Sequence, residues 1–145
     1  MRKVLSTVAM LMLVPIFGAF GQSTSVSGAA MPVDDEVRQR IYGDLRSELR
    51  NLLTAQEAYF SEWATYGREF ASADRNGVIL KPSPGITVTI SYATKDSHSA
   101  RATHAWLPGR SCVIFVGAVE PARLPKTASE GRAASQEGAP VCDSN

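Results

Sequence analysis

The sequence predicts an α+β domain: one long N-terminal helix packed on a three- to four-stranded antiparallel sheet, with a C-terminal loop closed by a disulfide. Three observations lead there. A proline-free stretch from 34 to 63 carries apolar residues at helical spacing. Three later segments carry strand patterns separated by turn clusters. The only two cysteines, Cys112 and Cys142, bracket the last quarter of the chain.

The N-terminus comes first. Arg2 and Lys3 precede an uncharged, mostly apolar run from Val4 to Phe17, and Ala19-Phe20-Gly21 is followed by Gln22. Small residues at −3 and −1 with a polar residue behind them fit a secretory cleavage site between Gly21 and Gln22. The apolar run is about 14 residues long and holds Pro15, against the roughly 20 that a membrane-spanning helix needs. The expectation is a signal peptide over 1–21, a Ser/Gly/Ala-rich flexible leader over 22–33, and a folded domain over 34–145. The exported protein is then periplasmic or extracellular, with no stable membrane span after cleavage.

The helix follows. Asp34-Asp35-Glu36 supplies a cap and negative charge where the helix dipole favours it. At 100° per residue, Val37, Ile41, Leu45, Leu49, Leu52, Leu53, Tyr59, Phe60 and Trp63 fall within a sector of about 160°. Leu45, Leu49, Leu52, Tyr59, Phe60 and Trp63 are its expected core face. Burying nine such side chains gives on the order of 15–25 kcal/mol before conformational entropy is subtracted. A stripe this wide needs a sheet beneath it. Gln56 projects from its middle, and a buried amide there must find backbone partners, expected near the Thr65-Tyr66 turn.

A connecting loop spans 64–81. Pro82-Ser83-Pro84-Gly85 then turns the chain into Ile86 to Tyr92, which alternates strictly, with Ile86, Val88, Ile90 and Tyr92 on the apolar side. Lys95-Asp96-Ser97-His98 reads as a turn, Ala100 to Leu107 as a second strand, Pro108-Gly109-Arg110 as another turn, and Ser111 to Gly117 as a third strand. After Glu120 the chain is rich in Ala, Ser, Gly, Glu and Arg without apolar periodicity. Alone it would be disordered. A Cys112–Cys142 bridge, allowed once the chain is exported, would staple it to the third strand.

The order and wording of these pieces resemble the globular head of type IV pilins and pseudopilins. The run from Asp44 to Phe60 (DLRSELRNLLTAQEAYF) with Thr65-Tyr66 looks like the pilin-type helix, and "PSPGITVTI" and "EGAPVCD" are similar to the segments that begin the sheet and close the disulfide. The resemblance implies a non-enzymatic protein working through surface loops, with protein partners in the envelope or in a pilus or type II secretion assembly. One departure limits it. Pilins carry Gly followed by Phe-Thr-Leu-x-Glu and then an apolar stem, whereas the residues five after Gly18 and Gly21 are Ser23 and Val26. The expectation is a freed head domain that does not polymerise by itself.

The remaining side chains point to no chemistry. Lys and Arg total 15 against 14 Asp and Glu, so nucleic acid is not an expected partner. His98 and His104 lack a carboxylate at useful spacing, and two Cys with two distant His do not make a zinc pattern. No Gly-x-Ser-x-Gly frame surrounds any serine. No catalytic, metal or cofactor-binding residue is therefore assigned, and no cofactor is expected. The alternative function is a stand-alone ligand-binding module using exposed aromatics, for which Trp63 and Trp106 are the residues to inspect.

Overall fold

The computed structural model describes residues 33–143. The expected cleavage site at Gly21 and Gln22 and nearly all of the expected leader lie outside them. Among the described residues no helix is long and apolar enough to cross a membrane. The architecture is α+β: helix α1 (Asp35–Trp63) packs on a four-stranded antiparallel sheet of β1 (Ile86–Ala93), β2 (Ser97–His104), β3 (Cys112–Gly117) and β4 (Val141–Cys142), in the spatial order β1-β2-β3-β4.

The start of α1 follows from its cap. The Asp34 carboxylate accepts from the Val37 N–H at 2.8 Å, and Asp35 and Glu36 occupy the first turn. The helix stops at Ala64, whose left-handed φ of 52° reverses the chain while its N–H bonds the Phe60 carbonyl. Ile41, Leu45, Leu49 and Leu52 are buried against Val88, Ala100, Ala102 and Ile114. Alanines at the centre of β2 leave room for the helix axis to approach the sheet, where the larger helix residues pack.

The stripe needs three corrections. Trp63 is not core: half of its surface (51%) is exposed. It points the same way round the helix as Leu45, but the chain reverses immediately after it and Trp63 lines an open groove beside the 64–81 loop. Tyr59 and Phe60 are half-buried for the same reason, meeting the 64–81 loop instead of the sheet. Tyr42 and Glu48, which lie within the same sector but are not among its nine apolar residues, are buried as well. Glu48 is tolerated because its Oε1 accepts from the Ser83 N–H and hydroxyl at the turn before β1.

Tyr92 is also corrected. The register slips between Ile90 and Tyr92, with Ile90 opposite Ala100 and Tyr92 opposite Ser99. One extra residue flips every later side chain to the other face. Tyr92 therefore lies on the side away from the helix, under the Arg123 guanidinium at 5.3 Å, and Ala93 takes the inward position. Strand β2 begins at Ser97, so the expected turn is only Lys95-Asp96 and His98 lies within the strand. This tightness needs glycine opposite it: at Gly117, φ is +77° and an added Cβ would stand 2.0 Å from the Asp96 carbonyl oxygen.

The tail covers the second face of the sheet. Arg101 reaches the Lys126 carbonyl, the Phe115 carbonyl accepts from Gly138, and the Gly117 N–H bonds Glu137. The Cys112–Cys142 disulfide ties the end of this segment to β3. Val113, on the outer face, is fully buried as a result.

Candidate functional site

The end of α1 and the 64–81 loop carry two of the three exposed large hydrophobic side chains among the described residues, Trp63 and Ile79. A buried amide sets their spacing. Gln56 lies in the helix core face, donates from Nε2 to the Gly67 carbonyl at 2.9 Å and accepts the Gly67 N–H on Oε1 at 2.8 Å. Both partners are backbone, one residue beyond the expected turn. Gly67 is required there because a Cβ would stand 2.4 Å from the Val78 side chain. Further ties bring Tyr66 Oη onto Glu57 at 3.0 Å and the Tyr66 N–H onto the Thr94 carbonyl at 3.0 Å. Replacing Gln56 with leucine is expected to cost about 2–3 kcal/mol, because Gly67 then keeps a buried donor and acceptor without partners. Urea unfolding of the variant checks it.

The loop so held is folded back on itself by the Phe70–Val78 bridge. Val78 turns inward, fully buried, and its neighbour Ile79 must turn outward, where 84% of its surface is exposed. Between loop and helix runs a groove of about 270 Å³ lined by Ala58, Tyr59, Trp63, Arg75, Gly77 and Ile79. The Tyr59 and Trp63 rings stack at 6.1 Å with 29° between planes. Arg75 at the rim pairs with Glu69 at 2.9 Å. An apolar floor with a charged rim suits recognition of an apolar side chain. Periodicity alone places Trp63 in the core; its place on the groove at the end of α1 is what exposes it.

The other aromatics and the histidines are elsewhere. Trp106 is 67% exposed in the β2–β3 connection, its ring against His104 at 5.5 Å and its backbone N–H donating to His104 Nδ1. His98 is fully buried beside Tyr66, ring centres 4.7 Å apart, and neither ring nitrogen has a hydrogen-bond partner. Burial drives its pKa down to about 4. The unfolded chain, with an ordinary value of 6.5, therefore binds a proton that the folded one refuses. Stability is expected to fall by about 3 kcal/mol as pH drops from 6.5 to 4, and to be level above that window. His98→Leu should flatten this part of a thermal-unfolding pH series; an unchanged slope would assign it to other groups.

Among the described residues, no three His, Cys, Asp or Glu side chains gather closely enough to hold a metal ion. Cys112 and Cys142 are bridged to each other. The chain matches no protein-family model and no curated protein.

Proposed function

We propose that this protein is an exported, non-enzymatic interaction module with a pilin-like head, and that it recognises a protein partner through the groove between α1 and the 64–81 loop. The observation that carries this reading is the joint exposure of Trp63 and Ile79 on a segment otherwise fixed by buried hydrogen bonds. Large apolar side chains on a rigid backbone lose little conformational entropy on binding, which is what a contact surface requires. The helix-on-sheet order and disulfide-closed end support the pilin-like reading, and the disulfide is compatible with an oxidising compartment. Assembly with a pilus or type II secretion apparatus is the partner class implied by that likeness.

A photo-crosslinking residue placed at Ile79 in the native cell tests this. A discrete adduct with an envelope protein, lost on Trp63→Ala, is expected. The same adduct from a crosslinker at Ser61, on the opposite side of the helix, would refute it. Intact mass of the exported protein should begin at Gln22. A second reading, small-ligand binding, is favoured by the stacked Tyr59–Trp63 pair; saturable quenching of tryptophan fluorescence by an apolar ring compound, abolished in Trp63→Ala, would establish it instead.

A further inference from the structure

Strand β1 is an edge of the sheet, and among the described residues no strand lies along its outer side. The Gly85 carbonyl accepts from the Ala105 N–H at 2.9 Å. With Ile86 opposite His104, that bond fixes the phase of the ladder: residues 87 and 89 exchange hydrogen bonds with β2, and Val88 and Ile90 turn N–H and C=O outward. Exposed edges are ordinarily blunted by lysine, proline or charge. The strand reads ITVTISYA and has none of these. Only its end is capped, by Arg68 Nε donating to the Ala93 carbonyl at 3.1 Å.

That end is also positively charged. Arg68 and Arg123 share a cavity of about 330 Å³ with Ile90, Ser91, Tyr92 and Ala93. Arg123 lies over the Tyr92 ring, and its Nε faces Glu120 at 3.5 Å. The η nitrogens of both arginines have no hydrogen-bond partner among the described residues. Two planar guanidinium forks beside unpaired strand backbone make a receptor for a carboxylate carried on an extended chain.

We propose that β1 receives an extended acidic peptide of another protein as a fifth strand, its backbone pairing with Val88 and Ile90 and a carboxylate held by Arg68 and Arg123. Charge complementarity selects this occupant over a second copy, because β1 itself has no carboxylate to offer the arginine pair. The surface is separate from the Trp63–Ile79 groove and does not depend on that reading.

The test titrates a capped hexapeptide of alternating threonine and valine, ending in two glutamates, into the isotope-labelled full chain. Backbone amide shifts at Val88, Ile90 and Arg68 are expected. Affinity should fall about tenfold when glutamines replace the glutamates, and equally in Arg123→Gln, whose one ion pair among the described residues is on the surface. Methylating alternate peptide nitrogens should abolish binding. The proposal is overturned by no binding at about 1 mM peptide, by equal affinity for the glutamine peptide, by shifts confined to the groove, or by β1-mediated dimerisation of the free chain.

Discussion

Asp143→Ala is expected to lower the unfolding free energy by about 3–5 kcal/mol, a large share of what a domain of this size possesses. The carboxylate is almost fully buried at the end of β4. Its Oδ2 accepts from the Ser111 N–H at 2.8 Å and its Oδ1 from the Glu130 N–H at 2.8 Å, with the Ser129 N–H shared between both oxygens. One side chain thus joins β4, the start of β3 and the tail. Burial by itself would raise its pKa, but the Thr127 hydroxyl and the three backbone donors outweigh that and hold it below the ordinary 3.8. The stabilisation is therefore complete above that value and disappears as acid protonates the folded carboxylate. Its window lies below that of His98, so acid unfolding should show two successive slopes. Urea titration with an unchanged m-value measures the loss. A change under about 1 kcal/mol would mean that water replaces the carboxylate at its three backbone donors.

The second large effect is at the disulfide. Reducing Cys112–Cys142, which closes a separation of 30 residues, is expected to remove roughly 3–4 kcal/mol. The loop it closes has little apolar periodicity, so its order depends on tethering and on hydrogen bonds more than on burial. Hydrogen exchange should therefore rise first over 118–140, with α1 still protected. Asp143 is adjacent to Cys142, so the two losses should not add: once the carboxylate is gone, the bridge alone holds the strand end, and reduction of Asp143→Ala should cost more than reduction of the native protein. Equal costs would show that the two fastenings act independently.

The Asp34 cap, the helix from Asp35 to Trp63 and the existence of the three longer strands were readable from the order of residues because each rests on local signals, and the cysteine pairing because the sequence holds just two. Periodicity assigns a side chain to a face of its own element, and in the middle of α1 that suffices: Leu45, Leu49 and Leu52 have sheet beneath them. What periodicity cannot supply is where the neighbouring element ends. Trp63 follows the same stripe and is exposed because it ends the helix on the groove beside the 64–81 loop. Ile79 is exposed because its neighbour Val78 faces the core. The one-residue slip after Ile90, which moves Tyr92 beneath Arg123, leaves no mark in a strand that alternates cleanly. No local pattern marks Asp143, because its donors at Ser111, Ser129 and Glu130 are distant from it in the chain. The helix, strands and disulfide partners were determined by the sequence, through interactions between near neighbours in the chain or the uniqueness of a pair. The groove, the arginine-flanked edge and the buried carboxylate were decided by tertiary structure, because each is made of groups that only the folded chain brings within reach.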